Sequence, residues 1–221
     1  MFAVFHRRAI RAITHPVARN WVLLGGLAVF AYAPAFYGSM RLAGVALGTA
    51  LNIGTAPVFA ALLERLFDGH RLSSRWIAGM SISAVGLIAL LFGAQSLGEA
   101  DPTSLSDVAL GCALGLAAGF LYAFYTFAAR RAMSSRSDGT GVIAAVFGVG
   151  GVCLLPVVVI AGAPLLDSPA SIGVAAYLVV VPAFLAFWLF GVAIRQVPAR
   201  TATTLTLLEP VGAAALASVV L

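Results

Sequence analysis

Near the end of the chain, an acidic residue and a proline stand side by side within a long apolar run. If that run crosses a bilayer, Glu209, which follows Arg200 by nine positions, lies about 13 Å into a core roughly 30 Å thick. A charge at that depth is costly, so its carboxyl group should face a bundle interior and be paired or protonated. Reversible protonation there would suit proton coupling. Alternatively, Glu209 is structural and hydrogen-bonds backbone groups that Pro210 leaves unpaired.

Further polar and aromatic side chains interrupt the other apolar runs. Thr49, Asn52 and Thr55 recur at three-residue spacing, which places them on one face of a helix. The remaining candidates are Tyr32, Tyr122, Tyr125, Trp188, Thr203, Thr204 and Thr206. Such groups can line the path of a solute, and they can equally join neighbouring helices through packing and hydrogen bonds. Both interpretations stay open.

Prolines and glycines indicate how these helices bend and pack. Pro57 and Pro210 each fall in the middle of an apolar run, where a proline removes a backbone hydrogen bond and favours a kink. Such a kink can serve a substrate site or a hinge, and it can also be an ordinary feature of a transmembrane helix. Gly111, Gly115 and Gly119 repeat at four-residue spacing, which predicts close packing against another helix.

The composition excludes a soluble domain. Hydrophobic residues make up 62% of the chain and charged residues 10%, with a mean hydropathy of +1.04, whereas soluble domains carry roughly 25% charged residues. The net charge of +5 comes from 13 arginines, which lie in or beside short gaps between apolar runs. This placement is typical of residues that determine membrane topology, and we do not predict nucleic-acid binding. The chain has no HExxH or GxSxG motif, and we predict no enzyme, metal site or cofactor.

Seven apolar runs are long enough to cross a bilayer as helices. They are Trp21–Met40, Gly44–Phe67, Trp76–Phe92, Val108–Ala129, Gly141–Ala161, Ile172–Ile194 and Thr201–Leu221. Continuous apolar runs favour helices over strands, so we predict an all-α polytopic bundle in the cell (inner) membrane. All arginines except Arg41 fall on one side of this arrangement, which the positive-inside rule assigns to the cytoplasm. The N-terminus is then cytoplasmic, and the C-terminus of this chain is outside.

The chain also contains an approximate internal repeat. Overlaying Ala33–Leu63 on residues 186–216 pairs Gly38 with Gly191 and Pro57 with Pro210. The arginine pattern makes the two copies run in opposite directions, as in inverted-repeat transporters. We therefore predict an incomplete first repeat at 1–93, an extracytoplasmic linker at 94–107 and an incomplete second repeat at 108–221. Symmetry predicts ten helices, so we expect the chain to be truncated at both ends.

Two segments resemble a known family. Tyr37–Gly93 is similar to the third to fifth helices of an EamA repeat in the drug/metabolite transporter superfamily. The segment RTATTLTLLEPVGAAALASVVL resembles the fourth helix of a second repeat, including the Leu-Glu-Pro signature that ends at Pro210. The family's Gly-Glu-Arg stands here as Gly69-His70-Arg71. The resemblance implies two inverted five-helix bundles and export of amino acids, other metabolites or drugs.

We therefore expect a secondary transporter that exports a small metabolite, amino acid or drug-like solute by alternating access. Its expected partners are the lipid bilayer, the unidentified solute and protons, if Glu209 couples them. A second copy in a homodimer, or a partner that supplies the missing helices, is a further expectation. The alternatives are a truncated membrane fragment that does not transport and, more remotely, an intramembrane enzyme.

Overall fold

A computed structural model describes residues 16–69, 73–95, 104–133, 139–162, 168–178, 180, 185, 189, 192, 197–205 and 208. Every regular element among these residues is helical, which confirms the all-α class. In chain order the helices are α1 (Pro16–Ala43), α2 (Val45–Asp68), α3 (Ser74–Gln95), α4 (Leu105–Met133), α5 (Gly139–Ala161), α6 (Pro169–Leu178) and α7 (Ala199–Leu205).

The helices follow the predicted apolar runs closely. Four of the first five predicted spans fall within α1, α3, α4 and α5, which extend beyond them by up to five residues at an end. The span Gly44–Phe67 matches α2 except for Gly44, which precedes that helix. Helices α6 and α7 begin near the starts of the sixth and seventh predicted spans, and much of those two spans lies outside the described residues. Within the described residues, four segments are long and apolar enough to cross a membrane: Ala18–Ala43, Val45–Asp68, Leu105–Met133 and Gly141–Ile160. The chain is therefore a multi-pass membrane protein.

Two glycines end helices by adopting backbone angles that other residues avoid. Gly44 separates α1 from α2 with a φ of 86°, and Gly69 caps the C-terminus of α2 with a φ of 68°. Glycine has no Cβ and enters this left-handed region at little cost. Gly44 therefore allows α1 and α2 to form a helical hairpin with a connection of one residue.

The chain divides into two compact units. One consists of Met1–Phe30 and Ala128–Val197, and the other of Ala31–Phe127 and Pro198–Leu221. In the first unit, α1 and α5 approach closely through small residues: a Cβ added to Gly26 would lie 2.5 Å from the Val149 Cβ. The second unit holds most of the predicted polar candidates and is described below. The division of the sequence into two repeats stays a prediction.

Candidate functional site

Three helix segments of the second unit come close together because one of them presents glycines. A Cβ added to Gly115 would lie 2.8 Å from the Ser39 Oγ, and one added to Gly119 would lie 2.9 Å from the Asn52 carbonyl oxygen. Gly111 meets the end of α1 in the same way, 2.6 Å from the Ala43 backbone nitrogen. Helix α4 therefore packs its backbone against α1 and α2, and the predicted role of the glycine row is confirmed.

This close packing brings three tyrosines into one cluster. The ring centroids of Tyr122 and Tyr125 are 5.1 Å apart. The ring centroid of Tyr32 lies 6.1 Å from that of Tyr122 and 6.4 Å from that of Tyr125. Tilted and edge-to-face arrangements at these distances are favourable for aromatic pairs. Tyr125 is buried, whereas Tyr32 and Tyr122 are half-buried. The cluster is thus part of the packed interior on one side and accessible on the other.

A buried amide completes the cluster from α2. The Asn52 Nδ2 donates a hydrogen bond to the Tyr32 hydroxyl at 3.0 Å. Asn52 is only 4% exposed, and its Oδ1 has no hydrogen-bond partner within the part of the chain that the structure describes. If the side-chain amide is flipped by 180°, the Tyr32 hydroxyl donates to Oδ1, and Nδ2 is then the atom without this bond. In either orientation, one polar atom of Asn52 remains for a further partner, which a buried polar group normally has.

We define the tyrosine–asparagine cluster as Tyr32, Asn52, Tyr122 and Tyr125. All four were predicted candidates, and the structure places them in contact or near contact. The arrangement can hold a small solute in a specific way: the rings offer flat apolar surfaces with hydroxyl groups, and the amide offers one directional hydrogen bond. Whether these residues touch a substrate stays a prediction.

The threonines near the cluster are mainly engaged by their own helices. The Thr55 Oγ1 donates to the Leu51 carbonyl oxygen at 2.6 Å, and the Thr126 Oγ1 donates to the Tyr122 carbonyl oxygen at 2.9 Å. Thr204 similarly donates to the Arg200 carbonyl oxygen at 2.6 Å. Thr49 is half-buried, one turn before Asn52. These bonds favour a structural role for Thr55 and Thr204.

Other predicted candidates have less to connect them with this cluster. Pro57 lies buried in the interior of α2, between the cluster and the C-terminal end of the helix. Its role as a kink stays a prediction. Glu209, Pro210, Thr206 and Trp188 lie outside the described residues.

Sequence analysis did not foresee a buried ion pair at the end of α2. The Arg200 Nη1 lies 3.1 Å from the Glu64 Oε2, and the Arg200 backbone N–H donates to the Glu64 Oε1 at 3.1 Å. The Glu64 side chain is 3% exposed and that of Arg200 is 25% exposed. One carboxylate therefore pairs with the guanidinium and caps an N-terminal backbone donor of α7, which is otherwise unsatisfied within its helix.

A signal for this buried acid exists in the sequence. Asn52, Ala56, Ala60 and Glu64 follow at four-residue spacing, and all four are buried. We call this row the buried strip of α2. Residues four apart are neighbours on the surface of a helix. Three such steps lead along the row from Asn52 to Glu64.

Comparison with known proteins places the chain among membrane transporters. Residues 109–221 match the model of the EamA-like transporter family. A Bacillus subtilis (strain 168) protein named "Uncharacterized transporter YwfM" is 29% identical over 203 residues, which are 90% of this chain and 65% of that protein. This chain thus spans 65% of the length of that relative. No solved structure matches the chain.

Proposed function

The chain belongs to the EamA-like transporter family, and from this premise we propose that it is a secondary transporter that exports a small metabolite, amino acid or drug-like solute. We propose alternating access between two inverted repeats as its mechanism. The substrate and the direction of transport are parts of this proposal, as is the assignment of the arginine-rich side to the cytoplasm.

The tyrosine–asparagine cluster is the observation that carries the proposal. It lies on α1, α2 and α4, each of which is long and apolar enough to span a membrane. A buried amide with an unused polar atom is expensive in such surroundings, and intramembrane polar groups mark solute pathways. Two of its aromatic neighbours, Tyr32 and Tyr122, are half-buried rather than sealed. This combination supports a binding position for the solute within the membrane.

In this mechanism, the solute contacts the half-buried rings and hydrogen-bonds the free polar atom of Asn52. That bond lowers the cost of the buried amide when the solute is present, so the solute favours the conformation in which the cluster is closed around it. Glu209 would couple proton movement to this change. We also propose a second copy of the chain, or another membrane protein, as its partner.

Two other functions make different predictions. An inserted fragment without transport activity would leave solute gradients unchanged, and an intramembrane enzyme would alter its substrate chemically. The buried strip and the unused amide favour transport over a fragment, because an inactive chain gains nothing from an unpaired polar atom in its core.

Sealed vesicles distinguish these functions. The purified chain is reconstituted into vesicles loaded with a mixture of amino acids, metabolites and cationic drugs, and the release of each compound is followed by mass spectrometry. A transporter releases at least one compound, saturably and chemically unchanged. Vesicles that retain every compound would favour a fragment, and recovery of a modified compound would favour an enzyme.

The proposed topology has its own test. A reporter fused after Gln95 should be extracytoplasmic, and one fused after Arg136 should be cytoplasmic. The opposite location of either reporter would overturn the orientation.

A further inference from the structure

The Glu64–Arg200 pair joins two helices that the chain connects only over a long distance. Glu64 lies on α2 and Arg200 on α7, 136 positions apart. The two helices pack against each other. Because Arg200 lies in the first turn of α7, shortly after Pro198, the pair holds that turn to α2.

Helix α2 itself is firmly held on its other side. The backbone of Gly119 in α4 approaches the Asn52 carbonyl oxygen, and farther along, Phe59 packs on Phe120 with ring centroids 5.6 Å apart. Near the end of the helix, Phe67 packs on Phe127 at 5.5 Å. These contacts run the length of α2. A movement of α2 away from α7 would therefore have to break these contacts with α4.

The Glu64–Arg200 ion pair stabilises the contact between α2 and α7 when water is excluded, and it weakens when water enters. With α7 seated, the Glu64 carboxylate forms an ion pair with the guanidinium and accepts a hydrogen bond from a backbone N–H, although it is almost fully buried. If α7 moved away without water, a bare carboxylate and an unpaired backbone donor would remain, which is a large cost. If water entered, it would solvate both groups, and Arg200 already reaches the surface in part. Such a contact has two stable arrangements, closed and dry or open and wet.

From this arrangement we infer that the Glu64–Arg200 pair is a latch between α2 and α7 that controls water access to the buried strip of α2. The inference rests on the proposed function, since alternating access requires that one end of a pathway opens and closes. Asn52 and Glu64 are twelve residues apart, about 18 Å along the helix axis and about 120° around it. Opening at Glu64 would therefore admit water at one end of the strip, the end that is distant from the cluster.

A cysteine in α7 can report this opening without any knowledge of the solute. Ala202 is 7% exposed and lies two residues after Arg200. We would introduce Ala202→Cys into the full chain with Cys112→Ala and Cys153→Ala, reconstitute it in lipid, and measure its rate of reaction with a water-soluble maleimide. The rate reports how often water reaches α7.

Three variants in this background test the latch. Glu64→Gln removes the charge but keeps an oxygen of similar shape, and it should raise the labelling rate on the order of tenfold or more, because an ion pair is lost. The swap Glu64→Arg with Arg200→Glu restores opposite charges and should bring the rate back toward that of the parent. Arg65→Gln, which removes a charge at an exposed neighbouring position, is the matched control and should leave the rate unchanged.

The outcomes separate the latch from the transport proposal. An unchanged labelling rate in Glu64→Gln, or an equal increase in Arg65→Gln, would overturn the latch. Gel filtration in mild detergent identifies variants that fail to fold. If Glu64→Gln fails to fold, the charge swap tests the latch. A swapped protein that folds but is labelled tenfold faster than the parent would also overturn the latch. A chain that follows the predicted labelling order but moves no solute would retain the latch and contradict the proposed function.

Discussion

The amide of Asn52 and the hydroxyl of Tyr32 meet at 3.0 Å and join α1 to α2 within segments able to span a membrane. This bond uses one polar atom of Asn52 and leaves the other available. The bond to Tyr32 has a structural role, and the remaining polar atom of Asn52 can bind a solute. The two roles can be measured separately, the first by unfolding and the second by transport.

The structural part should be small. Asn52→Ala and Tyr32→Phe each remove the hydrogen bond, and we expect a coupling energy of about 0.6–2 kcal/mol between them, as is typical for hydrogen bonds between transmembrane helices. A double-mutant cycle of unfolding in detergent measures this energy. A coupling energy of zero would show that the two side chains do not interact in the membrane protein.

The glycine row predicts a clear contrast between two similar substitutions. Gly119→Ala would place a Cβ 2.9 Å from the Asn52 carbonyl oxygen, so α4 must shift, and we expect a loss of about 1–3 kcal/mol. Gly79→Ala in α3 is the matched control, because its Cβ meets no atom within 4 Å among the described residues. Thermal unfolding of the two variants should show a lower midpoint for Gly119→Ala alone. Equal midpoints would contradict the close approach of α4 and α2.

The buried ion pair predicts unequal costs for removing its two members. Arg200→Ala leaves the 3% exposed carboxylate of Glu64 without its guanidinium and should cost about 3 kcal/mol. Glu64→Ala leaves an arginine that can reach water, and we expect a smaller loss of about 1–2 kcal/mol. Chemical unfolding of the two variants checks the order. A larger loss for Glu64→Ala would mean that Arg200, and not Glu64, is the more deeply buried member of the pair.

Glu209 predicts an effect on coupling alone. Glu209→Gln removes the titratable carboxyl group but keeps a side chain of similar size that forms hydrogen bonds. The variant should therefore abolish proton-coupled transport without lowering the amount of inserted protein. The measurement compares solute flux driven by a pH gradient with the protein content of the membrane. Unchanged flux would assign Glu209 the structural role beside Pro210.

Some features of the fold and site follow from local sequence, and others do not. Helices α1 to α5 are set by apolar runs of sufficient length, and the contact of Gly115 and Gly119 with neighbouring helices follows from their spacing. The meeting of Tyr32 with Asn52 depends on how three helices rotate about their axes, which no single run determines. The burial of Glu64 depends on α7, a segment far along the chain, and the local sequence predicts only a boundary residue that is either solvated or ion-paired. The structure shows the paired alternative for Glu64, while Arg65 and Asp68 are exposed.

The central claim is that this chain moves a solute through the membrane by way of the tyrosine–asparagine cluster. Its most direct test is the release of loaded compounds from vesicles that contain either the parent chain or Asn52→Ala at equal protein content. We predict saturable release of at least one unmodified compound by the parent and a reduction of about tenfold or more in the variant, since a buried hydrogen bond to the solute is lost. Equal release by the two proteins would exclude the cluster from the pathway, and no saturable release by the parent would contradict transport by this chain.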